Sequence, residues 1–158
     1  MIELFTRRVL DLAPGLHLSP VSAGEDLSSL SAILLDDDYY RLVLDSRIVS
    51  EGVSTVGAGC LIPLKACAWL DLTTRKAAGE ANVSEQDIRK HRNDVFRLLL
   101  TLPPADRVAL PETARQHLRQ FAGRFPPGSV DWGAIQQAVP NLAEPAAMIE
   151  QLSTVFRL

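Results

Sequence analysis

The sequence predicts an α+β protein: a small, mainly antiparallel sheet in the first third, followed by an all-helical C-terminal half. Three observations carry that expectation. Short alternating or β-branched apolar runs, at Ile2–Thr6, Ser31–Leu35 and Val53–Val56, are confined to the first third, and such runs suit strands whose side chains point alternately to opposite faces. Beyond Gly59 the apolar residues recur at helical spacing, as in Leu61, Leu64, Ala68 and Leu72, which lines one face of a helix. Prolines stand where helices start and glycines where they stop: Pro63, Pro111 and Pro145 against Gly79 and Gly123.

Taken in order, Ile2–Thr6 reads as a strand and Leu10–Asp26, with Pro14, Gly15, Pro20 and Gly24, as loop with a short strand at Leu16–Pro20. Ser31–Leu35 and Tyr39–Val49 read as two strands joined by the acidic turn Asp36-Asp37-Asp38, although Tyr39–Leu42 could open as a helical turn. Consecutive strand residues point to opposite faces, so one metal ion could not use all three aspartates. Val53–Val56 is a last strand. Gly52–Gly59 lacks the spacing and terminal Lys-Ser/Thr of a phosphate-binding P-loop.

The first main helix starts near Gly59 and runs to about Ala78; Pro63, tolerated only in a first turn, sets the start near Leu61 or Ile62. Ser84 caps a second helix from Glu85 to about Leu102, ended by Pro103-Pro104. Helices follow at Pro111–Gly123, from a Ser129 cap through Val139 with an interruption at Gly133, and at Pro145–Leu158. The chain divides into a β region at 1–57, core helices at 58–102 and a C-terminal helical region at 103–158 that carries no motif.

At 158 residues, 47% of them hydrophobic and 22% charged, the chain suits one soluble domain, or one with a small appendage. A net charge of −3 gives no general signature of nucleic-acid binding. Cys60 and Cys67, seven apart on one helix, would lie roughly 10 Å from each other, too far for a disulfide. They read as small buried residues in a reduced compartment. No Cys/His cluster has zinc spacing, and no carboxylate set is assigned to a metal. No apolar run reaches the roughly 18–20 residues that span a membrane, and the N-terminus is not a signal peptide. A cytoplasmic location and no membrane partner are expected.

The charged residues of Leu61–Leu100 are the informative ones. Lys65 sits among Leu61, Leu64, Ala68 and Leu72. A lysine in such a setting is either paired or at the edge of the stripe with its head carried into water. Lys65 with Trp69, and Asp71 with Arg75, are four apart on the same helix. On the second helix Asp87, Lys90, His91, Asp94 and Arg97 lie beside the apolar stripe Ile88, Val95, Leu98, Leu99 and Leu102. Lys90 and Asp94, also four apart, have the spacing of an ordinary surface ion pair.

Together, an acidic-strand hairpin, LxxxKxxAWLDLxxR, a linker and KHRNDVxRL resemble the C-terminal half of the AbiEii/MenT-like nucleotidyltransferase family of toxins, over roughly residues 1–102 and most sharply over Leu61–Leu100. The resemblance implies a partial nucleotidyltransferase fold in the first third. It implies an active-site lysine at Lys65 and an active-site aspartate at Asp94, with Lys90 one turn before it; Lys65 and Lys90 would bind the nucleotide. A lysine can neutralise triphosphate charge as pyrophosphate leaves. A carboxylate can orient that lysine or activate an incoming hydroxyl. The cofactors implied are Mg²⁺ and an NTP, the acceptor RNA or protein, and the partner an antitoxin. Glu3, in IELF, would be the third acidic position, or else an outward residue on an edge strand.

The family's Gly-Ser followed by Asp-x-Asp, which holds the metals, is not found in the expected place. Gly128-Ser129 with Asp131 falls too late in the chain. The chain is therefore expected to begin after that segment and to be inactive alone. Two readings stand: a truncated nucleotidyltransferase-like protein, or a non-catalytic interaction domain. Loss of sheet neighbours would leave the N-terminal strands exposed and ready to form a homodimer.

Overall fold

The computed structural model describes Leu4–Arg7, Ala32–Leu35 and residues 37–158. Glu3, Asp36 and the loop Leu10–Asp26 with its expected short strand lie outside the described residues. The fold is α+β, a small sheet component followed by helices. It forms two units, Met1–Asp45 and Ser46–Leu158.

In the first unit, β1 (Leu4–Arg7) pairs in parallel with β2 (Ala32–Leu35), in the register Leu4 to Ala32. The N-terminal strand thus has a sheet neighbour. The expected second arm of an acidic hairpin is instead a helix, α1, spanning Asp37–Asp45. Its aspartates do not make a hairpin turn. Asp37 and Asp38 stand in the first turn, where carboxylates complement the helix dipole. Tyr39 and Leu42, three apart, are its buried residues.

The second unit opens with the antiparallel hairpin, displaced along the chain from the expected position: β3 is Arg47–Ser50 and β4 is Val53–Val56. Glu51 and Gly52 link them with φ of 50° and 80°. Positive φ at both central residues is the two-residue turn whose twist matches a hairpin.

Helix α2 spans Ala58–Ala77. The Gly57 carbonyl accepts from the amides of Cys60 and Leu61, each at 3.1 Å, and so starts the helix a turn before Pro63 demands. Pro63 therefore lies inside α2 rather than in its first turn, and it leaves the Gly59 carbonyl without the usual helical donor. Gly59 admits another close approach, since a Cβ there would stand 3.2 Å from Val108 Cγ2. Gly79, with φ of +86°, follows the helix end and turns the chain out of it.

Ser84 accepts from the Gln86 amide at 3.1 Å and caps α3, Glu85–Leu99. That helix stops short of Leu102, and Gln151 supplies donors to its end, to Leu99 O at 3.3 Å and Leu102 O at 2.9 Å. Helices α4 (Glu112–Gly123), α5 (Asp131–Ala138) and α6 (Pro145–Phe156) follow.

Aromatic rings hold the helices together. Trp69 of α2 meets Phe121 of α4 edge-on at 5.3 Å and Phe125 at 5.1 Å. Phe96 of α3 packs against Phe121, Phe125 and, at 4.9 Å, Trp132 of α5. Trp132 satisfies its indole N–H at Pro126 O, 2.9 Å away. Met148, Leu152, Val155 and Phe156 are the buried side of α6. Each such side chain stabilises by roughly 1.5–3 kcal/mol on burial, so the C-terminal region is part of the core and not an appendage. Among the described residues no helix is long and apolar enough to cross a membrane.

Candidate functional site

Helices α2 and α3 are antiparallel neighbours because the link between them is short and fastened. Arg75 reaches Asp71 at 3.3 Å and Glu80 at 2.8 Å. Lys76 donates to Val83 O at 3.1 Å and faces Glu85 at 3.9 Å. Ile62, Ala66 and Trp69 of α2 are buried, as are Val95, Phe96 and Leu99 of α3. Once those stripes are in register, Lys65 and Asp94 fall opposite each other at the edge of the buried seam.

Lys65 Nζ lies 3.8 Å from Asp94 Oδ2, with the two side chains 15% and 19% exposed. The lysine head is thus held at a carboxylate instead of only being carried into water. The separation makes this an ion pair longer than a hydrogen bond. The other carboxylate oxygen takes a hydrogen bond: Arg97 Nη1 donates to Asp94 Oδ1 at 2.6 Å. Arg97 Nη2 continues to the Ala138 carbonyl, at the end of α5, at 3.3 Å. One carboxylate thus lies between two cations. A carboxylate so engaged is a poor general base and a good orienting group, because both oxygens are already committed.

Lys90 does not pair with Asp94, contrary to the spacing argument. It is exposed, while Asp94 turns to Lys65 and Arg97. His91 is half-buried on the same helix. Glu3 lies outside the described residues. Asp37 and Asp38 belong to the other unit. Among the described residues, no group of three or more His, Cys, Asp or Glu could hold a metal ion. Asp94, the carboxylate of the cluster, faces cations on both oxygens. These residues do not fit a magnesium site.

A second ionic link went unread in the sequence. Arg92 of α3 is buried, and its Nη1 meets Asp131 Oδ1 at 3.2 Å while its Nε donates to Asn93 Oδ1 at 3.1 Å. Burial pulls the Arg92 guanidinium below the usual arginine range, Asp131 opposes that, and Arg89 adds to it. Ser129 Oγ sits 3.2 Å from Asp131 Oδ2 and accepts from the Asp131 amide at 3.3 Å. Gly128-Ser129 with Asp131 is therefore the start of α5 and an anchor for α3. Arg97 had a readable signal, three residues after Asp94 on one helix face. Arg92 and Asp131 had none, because their pairing depends on how α5 folds back.

No family model matches the chain, and the searches of curated proteins and of solved structures return no similar protein.

Proposed function

We propose that this chain is a nucleotidyltransferase-like protein whose α2–α3 seam binds the polyphosphate of a nucleoside triphosphate. Lys65 is the phosphate-binding cation, and Asp94 is the residue that orients it. The single observation that carries this reading is the Lys65–Asp94 pair: two mostly buried charges, on different helices, brought to 3.8 Å. Burying charge is costly unless the charges are paired. Two cations from different helices, Lys65 and Arg97, converge on this carboxylate, an arrangement suited to an anionic ligand. Lys90, exposed one turn before Asp94, is available to a longer phosphate chain. The resemblance of the motifs around these residues supplies the reaction class, transfer of a nucleoside monophosphate from an NTP to RNA or protein, with Mg²⁺ and an antitoxin partner. This chain alone is proposed to bind without transferring.

Calorimetry with ATP and GTP, in EDTA and then with Mg²⁺, tests the reading. Binding is expected, and it should weaken at least tenfold in Lys65→Ala, a change of about 1.4 kcal/mol. Absence of binding by a folded wild-type chain overturns it. Transfer of label from an NTP to RNA or protein, lost in Asp94→Ala, would instead show a complete enzyme.

A second reading, a non-catalytic interaction domain, is favoured by a different observation. The β3–β4 hairpin presents Ile48, Val49 and Val53 to solvent, each more than half exposed.

A further inference from the structure

Helix α5 has eight residues, well below the roughly 12–15 at which an isolated helix becomes even marginal in water. It is therefore held by what it touches. Trp132 and Ile135 are its buried residues, and α3 grips it with an arginine at each end. Arg92 Nη1 meets Asp131 Oδ1 at 3.2 Å, and Arg97 Nη2 donates to the Ala138 carbonyl at 3.3 Å.

The two grips are unequal. Arg92 is buried and bonded to a carboxylate. Arg97 is more than half exposed, and its bond to α5 is long and ends on a neutral oxygen. Ala138 is the last residue of α5, where carbonyls have no donor within the helix. Its oxygen can turn to water when Arg97 leaves. The N-terminal end of α5 is fixed, and the C-terminal end is detachable.

Arg97 is also one of the two cations on Asp94. Lys65, Asp94, Arg97 and the Ala138 carbonyl form one line from α2 across α3 to α5, with steps of 3.8, 2.6 and 3.3 Å. Whatever competes for Arg97 at one end of that line acts on α5 at the other.

We propose, on the nucleotide-binding reading above, that a polyphosphate bound at the α2–α3 seam draws Arg97 off the Ala138 carbonyl and releases the C-terminal turn of α5. A phosphate oxygen is a charged acceptor that matches the guanidinium fork, whereas a carbonyl is neutral. Of the two partners Arg97 holds, the carboxylate at 2.6 Å is the firmer, and the carbonyl at 3.3 Å is the one given up. Arg92 and the buried Trp132 keep the first turn of α5 in place, so the helix frays from its end and does not leave as a body. Occupancy of the seam is thereby transmitted from Arg97 to a helix end 41 residues further along the chain. By linkage, freeing α5 raises the affinity for the polyphosphate in return.

Hydrogen exchange of the full chain, with and without saturating ATP or inorganic triphosphate, tests this alongside calorimetry on the same samples. A ligand that binds the folded state stabilises it and ordinarily slows exchange. Here the amides of residues 135–139 are expected to exchange severalfold faster in the bound chain, while those of α2 and α3 slow. Arg97→Ala should show the fast α5 exchange without ligand, and saturating ATP should add nothing to it. Lys65→Ala, which weakens binding from the other end of the line, should keep α5 slow at the ATP concentration that frees it in the wild type. Calorimetry that shows no binding overturns the nucleotide-binding reading and the coupling with it. Binding that leaves α5 exchange unchanged or slower overturns the coupling alone. So does an Arg97→Ala chain whose α5 exchanges as slowly as the wild type without ligand.

Discussion

Arg92 of α3 and Asp131 of α5 meet at 3.2 Å across 39 residues of chain. They are unequally buried, the arginine side chain 9% exposed and the aspartate 46%. The asymmetry decides what each substitution does. Asp131→Ala leaves a buried guanidinium with only Asn93 beside it, and is expected to cost about 1–3 kcal/mol of stability. Water reaches the aspartate side, so the lower half of that range is expected. Arg92→Met with Asp131→Ala should recover most of the loss, since a buried ion pair replaced by apolar volume is often neutral. Urea midpoints of the two variants check this.

The Lys65–Asp94–Arg97 arrangement makes opposite predictions for its lysine and its aspartate. Asp94→Asn removes the charge that competes with phosphate for Lys65. ATP binding should therefore tighten severalfold in Asp94→Asn while it weakens in Lys65→Ala. The difference between the variants should shrink as salt is raised, because exposed ligand charge is screened over about 10 Å at 0.1 M salt. Calorimetry at two ionic strengths reads both. Equal affinity of wild type and Asp94→Asn would separate the aspartate from the anion site.

Burial pushes the Cys60 thiol above the usual cysteine range, and a hydrogen bond with Ser46 partly opposes it. The folded chain then holds that proton more tightly than the unfolded one. Stability from this group is fully present below the unfolded value, about 8.5. It is lost as pH rises from there through the folded value. Denaturant titrations between pH 7 and pH 10 should show part of the alkaline decline vanish in Cys60→Ala. Cys60 is buried and Cys67 partly exposed, so a thiol reagent at pH 8 should label Cys67 first.

Gly59 and Val108 should be coupled. Helix propensity alone favours alanine over glycine by about 0.5–1 kcal/mol. A Cβ at Gly59, however, would stand 3.2 Å from Val108 Cγ2, and Val108 is tethered by its amide to Val155 O at 2.8 Å. Gly59→Ala is therefore expected to destabilise the wild type and to stabilise Val108→Ala, where those methyl groups are gone. A double-mutant cycle in urea gives the sign of each.

The helical half was legible because its punctuation is local. Ser84, Pro111 and Pro145 each mark a start by a short-range mechanism, and the structure places α3, α4 and α6 accordingly. The first third misled where two periods coincide. In Tyr39–Asp45 Leu42 and Leu44 stand two apart, as on one face of a strand, yet Tyr39 and Leu42 also satisfy a helix, and the acids before them suit its N-terminus. Pro63 pointed to a later start for α2 than the Gly57 carbonyl establishes. At the site, Lys65 and Asp94 could be singled out from the sequence as charges beside apolar stripes. That Arg97, and not Lys90, would complete the cluster depends on side-chain direction and on α5 lying within reach, which spacing along α3 does not encode.

The amide of Gln151 does more than tidy a helix end. It fastens the last helix to the carboxyl end of the segment that bears Asp94 and Arg97. The position of those charges is therefore governed from a region with no motif of its own. Gln151→Ala would therefore blunt the site without touching a single one of its residues, and a scan confined to Leu61–Leu100 would overlook the cause.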